Sequence, residues 1–143
     1  MHRLHRVVRS LHLVSAPPDT SVLEVGRIMC RGRVGAIPIL DDDTLVGIFS
    51  ERDLMQRVVV AGLDPATTPV QEVMTRHVIT AVLDEPVDTS LKKMQKAGCR
   101  HLPVVESGRV LAVISMRDLL NDELEEQGEE IRNLRAYLHQ SPH

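Results

Sequence analysis

The chain has 143 residues, with 17 Lys and Arg against 20 Asp and Glu and a formal net charge of −3. That length can bury one compact core but not two large domains, and so weak a net charge gathers no polyanion, which argues against a dedicated nucleic-acid binder. Hydrophobic residues make up 43% of the chain and aromatics only 1%, so any ligand ring has to be gripped by aliphatic side chains. No apolar run nears the roughly 20 residues that span a bilayer, and MHRLHRVVRSLHLV lacks the apolar region and cleavage site of a signal peptide. A soluble, cytoplasmic protein without a membrane partner is expected. Cys30 and Cys99 form no CxxC pair and are expected to be reduced thiols in or near the core.

From the N-terminus, His2, His5 and His12 interleave with Arg3, Arg6 and Arg9. No Cys or carboxylate cluster completes a metal shell there, so the arm reads as solvated or partly mobile. Leu13, Val14 and Ser15 form a short β-favouring run stopped by APPDTS. Asp19 or Thr20 then supplies a capping oxygen for a helix that turns Val22, Val25, Ile28 and Met29 inward. AIPIL and LVGIFS flank the turn DDDT as a hairpin. At Ser50 the strand gives way to a helix through Leu54, Met55, Val58 and Val59. AGLDPATTP (61–69), with one Gly and two Pro, reads as a linker, followed by the short helix PVQEVM.

The same order then returns. Val78, Ile79 and Thr80 predict a strand, ended by LDEP; Asp84 or Glu85 starts a helix carrying Val87, Leu91 and Met94; HLPVV and VLAVIS flank ESGR. Ser115 opens a helix through Leu119, Leu120 and Leu124. GIFSERDL and AVISMRDL fix the offset at 118 − 53 = 65, and the same gapless slide aligns Val8 with Val73, Asp19 with Asp84, Met29 with Met94 and Pro38 with Pro103. Two copies of one unit are therefore present. The expected architecture is α/β (α+β): two βαββα repeats packed face to face with pseudo-two-fold symmetry, plus a C-terminal helix. Residues 7–60 form the first repeat, 61–72 the linker, 73–122 the second repeat and 123–139 the amphipathic tail.

The repeated SxRD element has a chemical use. A hydroxyl on the first turn of a helix and a carboxylate three residues later lie on neighbouring faces. Ser50 or Ser115, with the helix amides, suits phosphate oxygens; Asp53 or Asp118 can accept from two ribose hydroxyls; Arg52 or Arg117 adds a planar cation. The bland alternative is a capping arrangement with a surface ion pair, which the recurrence in register disfavours. His77 and His101 have no recognisable nucleophile or positioned acid beside them, so no enzyme is expected.

The order of elements, with GAIPILDDDTLVGIFSERDL, TTPVQEVMT and CRHLPVVESGRVLAVISMRDL, resembles the cystathionine β-synthase (CBS) domain, and two in tandem resemble a Bateman module. ELEEQGEEIRNLRAYL further resembles the tail of stand-alone two-CBS proteins. The resemblance implies a regulatory module that binds AMP, ADP or ATP, with NADH or S-adenosylmethionine as further candidates. It implies cleft walls made of Val14, Ser15 and Ala16 with Gly35, Ala36 and Pro38, and of Ile79, Thr80 and Ala81 with Arg100, His101 and Pro103. Gly35 leaves room where the second copy has Arg100, so the two clefts should be unequal, and Ala112 in place of Gly47 should make the second turn less open. Leu120, Leu124, Gln127, Ile131, Leu134 and Leu138 step by four and three, an apolar seam. Seam and resemblance together point to a homodimer acting on an unknown regulated protein. The competing reading is a structural or partner-binding dimer with empty clefts.

Overall fold

The computed structural model describes residues 3–140; His2 of the N-terminal arm lies outside them. Each copy builds a hairpin first. β1 (Ala36–Asp41) pairs antiparallel with β2 (Thr44–Ser50), and β4 (His101–Glu106) pairs with β5 (Arg109–Ser115) in the same register, each with an irregularity at the equivalent step, Ile39/Leu40 and Val104/Val105. Both turns have two residues at positive φ: Asp42 and Asp43 at 45° and 70°, Ser107 and Gly108 at 51° and 77°. That geometry matches the twist of the flanking strands.

α2 (Val22–Gly32) and α4 (Val87–Ala97) cover the hairpins and bury Val22, Val25 and Met29, and Val87 and Met94, as the spacing requires. Their starts differ from expectation. Ser21, not Asp19 or Thr20, caps α2 by accepting from the Glu24 N–H at 3.2 Å. Pro86 precedes α4 without a side-chain cap, and the Glu85 carboxylate instead accepts from Ser90 Oγ and Lys93 Nζ.

The strands predicted at 13–15 and 78–80 are displaced. In the second copy the strand is β3 (Ala81–Val82), parallel to β4. In the first copy it shrinks to a bridge between Ala16 and Ile39. Val82 pairs with Val105, whereas the equivalent residue, Pro17, has no N–H to extend a ladder.

The closing helices also diverge. The helix expected through Leu54, Met55, Val58 and Val59 begins as α3 (Glu51–Asp53) and widens into a π-helical stretch, Leu54–Val59, in which Val58 is buried while Met55 and Val59 are exposed. In the second copy one helix, α5 (Met116–Gln140), runs from the hairpin through the tail; Leu119 is buried and Leu120 and Leu124 are exposed.

The leading segment of each copy packs on the other copy. Val70, Val73 and Met74, around a 3-10 turn at Val70–Glu72, complete the core of Ile37, Ile39, Phe49 and Val58. Leu4 and Val7, on the short helix α1 (Leu4–Val8), complete the core of Leu102, Val104, Ile114 and Leu119. The N-terminal arm is therefore docked rather than solvated from Leu4 onward, because two apolar residues one turn apart find a groove on the second repeat. Cys30 is exposed on α2 and Cys99 is half-buried, both as free thiols.

Candidate functional site

Ser50 and Ser115 lie where a strand hands over to a helix, and in both copies the handover is tied down identically. The Glu51 N–H donates to the Gly35 carbonyl at 3.0 Å, and the Met116 N–H to the Arg100 carbonyl at 2.8 Å. Ser50 Oγ accepts from the Asp53 N–H at 3.2 Å while Asp53 Oδ2 accepts from the Ser50 N–H at 3.0 Å. The matching distances for Ser115 and Asp118 are 3.0 and 2.8 Å. Each SxxD is thus a reciprocal cap. The bland reading describes its structural role, and the cap aims one carboxylate into a cleft on each side of the molecule.

The two clefts share a septum. Gly35, Ala36, Glu51, Arg100 and His101 line both. A Cβ placed on Gly35 would stand 3.3 Å from His101 Nε2 and 3.4 Å from Glu51 Oε1. The narrower cleft, about 290 Å³, holds Ser50, Arg52 and Asp53; the wider, about 860 Å³, holds Ser115, Arg117 and Asp118.

The outer walls are exchanged between copies. Thr75, His77, Val78 and Ile79 face Asp53, whereas Ser10, Leu11, His12 and Val14 face Asp118. The reason is the crossing of the leading segments: Thr75 and Ile48 exchange backbone hydrogen bonds at 2.8 and 2.9 Å, which lays residues 75–79 along the first hairpin. Val14 with Gly35 and Ala36 therefore share a cleft with Ser115 and Asp118, and Ile79 with Arg100 and His101 share one with Ser50 and Asp53, so each expected wall meets the SxRD element of the other repeat. Ser15, Ala16, Thr80 and Ala81 do not line either cleft; Ala16 and Ala81 are buried against Ile39 and Val104. Pro38 and Pro103 sit inside β1 and β4, buried opposite Ile48 and Val113, and are also absent from the walls. Sequence reasoning missed Thr75, Ser10, Arg33 and Glu51. The 65-residue register relates Thr75 to Ser10 and His77 to His12, but which cleft they enter depends on the crossing.

The two carboxylates differ in occupation. Asp53 is buried and also receives the Thr75 hydroxyl at 3.3 Å, the Ser50 hydroxyl at 3.1 Å and the Arg57 guanidinium at 3.7 Å. Among the described residues, Asp118 accepts only from the Ser115 N–H. The copy-two equivalent of Arg57 is Asp122, which pairs with Arg6 at 3.6 Å. On the septum, burial pulls the His101 imidazole below its ordinary pKa, with Glu51 and Asp118 pulling the other way and Arg100 adding to the fall. Among the described residues no group of three or more His, Cys, Asp or Glu is placed to hold a metal, and no helix is long and apolar enough to cross a membrane.

Two βαββα units, crossed at their leading segments and carrying capped SxxD elements on twin clefts, define a tandem repeat module with a paired site. The family model for the CBS domain matches residues 6–60 and 70–125. The chain belongs to the CBS-domain family, as a pair of such domains. It is 38% identical over 121 residues to the CBS domain-containing protein CBSCBSPB3 of Arabidopsis thaliana, covering 82% of this chain and 22% of that one. The chain spans about a fifth of the length of this and similar curated Arabidopsis relatives. Among solved structures, it is similar to the CBS domain pair of protein MJ0100 in complex with 5′-methylthioadenosine and S-adenosyl-L-methionine, with TM-score 0.78, 28% identity, and 88% and 98% of the two chains covered. It is also similar to the CBS domain protein PAE2072 from Pyrobaculum aerophilum complexed with AMP, with TM-score 0.75, 28% identity, and 82% and 89% covered.

Proposed function

We propose that the chain is a regulatory module that binds an adenosine nucleotide, AMP, ADP or ATP, in its clefts and passes on a change of geometry as an energy sensor. The observation that carries this reading is Asp118: a capping carboxylate on a cleft of about 860 Å³ that, among the described residues, takes only one hydrogen bond. A ribose diol supplies the two donors such a group can accept, and the aliphatic walls suit a purine. NADH and S-adenosylmethionine share the adenosyl half and are the next candidates; the neighbours bound to AMP and to S-adenosyl-L-methionine support the class. The module works in the cytoplasm as a homodimer without catalysing a reaction, and signals to a regulated protein that its ligand chemistry does not name. Because the septum contributes to both clefts, a ligand that prefers one arrangement of Glu51, Arg100 and His101 shifts the other cleft with it.

Calorimetric titration of AMP, ATP, NADH and S-adenosylmethionine into wild type, Asp53→Ala and Asp118→Ala tests the reading. Asp118→Ala should weaken binding about tenfold or more, the worth of hydrogen bonds to a charged group, and Asp53→Ala much less. If no ligand binds or raises the melting temperature, the second reading stands, a partner-binding dimer with empty clefts. Asp53 favours that second reading for its own cleft, since Ser50, Thr75 and Arg57 already occupy its carboxylate.

A further inference from the structure

The two repeats fasten the crossed leading segments to their closing helices differently. On the first repeat the segment carries two ties: Arg57 donates to the Val73 and Met74 carbonyls at 3.1 and 2.9 Å, and the Thr75 hydroxyl donates to Asp53 at 3.3 Å. On the second repeat both ties change. Asp122 stands at the position of Arg57, and the cation sits on the leading segment instead: Arg6 reaches Asp122 at 3.6 Å, Glu125 at 4.0 Å and Glu129 at 3.2 Å. Ser10 stands at the position of Thr75, but its hydroxyl turns back to the Val7 carbonyl at 3.0 Å. Among the described residues, Asp118 accepts no hydrogen bond from the leading segment. Arg6 therefore makes one tie, and the tie from cleft wall to SxRD carboxylate is left open.

The leading segment behaves as one piece. Turn hydrogen bonds run from α1 into the cleft wall, from the Arg9 N–H to the His5 carbonyl at 3.2 Å, from Ser10 to Val7 at 3.3 Å and from Leu11 to Val8 at 3.0 Å. Leu4 and Val7 are buried, and the Leu4 N–H donates to the Glu85 carbonyl at 3.0 Å, which anchors the piece on the second repeat. Ser10, Leu11 and His12 line the wider cleft opposite Asp118. The second piece is α5, which carries Asp118 and all three carboxylates of Arg6. Asp122, Glu125 and Glu129 step by three and four along one face, and every residue from 129 to 139 is exposed. The grip of Arg6 thus ends where the base of α5 gives way to the tail.

We infer that α1 is a clasp between the wider cleft and the base of α5: a ligand held between the Ser10–His12 wall and Asp118 supplies the open tie and tightens the hold of Arg6 on Asp122, Glu125 and Glu129. The inference rests on the adenosine-nucleotide reading and adds the route by which binding leaves the cleft. Two cross-links between the same two pieces reinforce each other, because each orders what the other must join. The coupling is reciprocal, so loss of the Arg6 link weakens a ligand it never touches. Arg6 lines neither cleft. Ion pairs at a part-exposed arginine are weak alone, which lets a ligand decide how fully the clasp is closed.

The test combines titration of AMP and ATP with hydrogen exchange along α5, on the full chain, for wild type, Arg6→Gln and Arg6→Lys. A further variant, Glu125→Gln with Glu129→Gln, removes exposed contacts and spares the buried Asp122, so it keeps the test open if Arg6→Gln fails to fold. In wild type, saturating nucleotide should slow exchange at residues 119–130. Arg6→Gln and the double glutamine variant should lose that slowing and bind nucleotide about fivefold more weakly, the low end of couplings between sites, while Arg6→Lys restores part of both. Nucleotide bound by wild type with exchange at 119–130 unchanged, or slowing and affinity both kept without the Arg6 contacts, overturns the clasp and leaves the cleft reading intact. Binding that survives Asp118→Ala unchanged puts the ligand outside the wider cleft and also overturns the clasp alone. A wild type that binds neither AMP nor ATP removes the energy-sensor reading and the clasp with it.

Discussion

His101 stands on the septum between the two clefts, and burial lowers its pKa from the ordinary 6.5. The unfolded chain therefore takes up this proton at a higher pH than the folded one. Stability is full above about pH 6.5 and is lost as pH falls through the window below it. His101→Gln should remove that part of the pH dependence, so denaturation curves of wild type and variant at pH 7.5 and 5.5 should differ in slope with pH. An equal slope in both would show that His101 does not carry it. Gly47 makes a second residue-scale point, because its matched position is Ala112 and the sequence suggests that glycine opens the turn to a ligand. A Cβ at residue 47 would instead lie 2.4 Å from the buried Met74 sulfur. Gly47 makes room for the methionine of the second repeat's leading segment, and Gly47→Ala should cost about 1–3 kcal/mol in chemical denaturation, the usual range for overpacking, with Met74→Ala absorbing most of that cost in the double variant. The SxRD carboxylates were legible because the repeat duplicated them, and Gly35, Arg100 and His101 because the family resemblance marked their positions. Arg33 and Thr75 were not, since a left-handed cap and a strand crossing leave no period in the sequence.

At the level of elements, the hairpins were the most legible part, since alternating apolar residues and a two-residue polar turn specify register locally. Both turns need positive φ at two consecutive residues. Ser107 and Gly108 include one glycine, but Asp42 and Asp43 include none and follow Asp41, crowding three carboxylates. Asp43→Gly should therefore stabilise by about 0.5–1 kcal/mol, seen as a rise of a few degrees in melting temperature; Gly108→Asp should do the reverse. A fall in Asp43→Gly would mean that the carboxylate makes a contact worth more than the strain. The first strand and the helix after Ser50 were less legible for opposite reasons. Val14 and Ile79 are β-favouring because they line clefts rather than pair, so the ladder begins two or three residues later. The π-helical turn at Leu54–Val59 changes which side chains face inward without changing the sequence pattern that predicts a 3.6-residue helix.

The whole molecule leaves one surface uncovered. α5 is held to the body by Leu119 and Asp122, and Arg6 of α1 contacts Asp122, Glu125 and Glu129 on the side away from the seam. Along the seam itself Leu120, Leu124, Ile131, Leu134 and Leu138 are each 49–65% exposed, and every residue from 129 to 139 is exposed. A helix of this length with one free apolar stripe is marginal in water unless the stripe is covered, and the homodimer proposed above supplies a second stripe of the same spacing. Charge bears on orientation. Residues 122–130 carry Asp122, Glu123, Glu125, Glu126, Glu129 and Glu130, whereas 131–139 carry Arg132 and Arg135, so antiparallel helices set acidic half against basic half and parallel ones set acid against acid. Light scattering on the full chain should give a dimer mass, and Ile131→Glu with Leu134→Glu should convert it to monomer while leaving ATP affinity within twofold, because both residues lie far along α5 from Asp118. A monomeric wild type, or a double variant that stays dimeric, would remove the tail from the interface and return the dimer to the faces of the repeats. If the variant is monomeric and still binds ATP, sensing belongs to one chain and assembly to the tail, so ligand can alter the dimer only through the base of α5, where Asp118 and Leu120 are two residues apart.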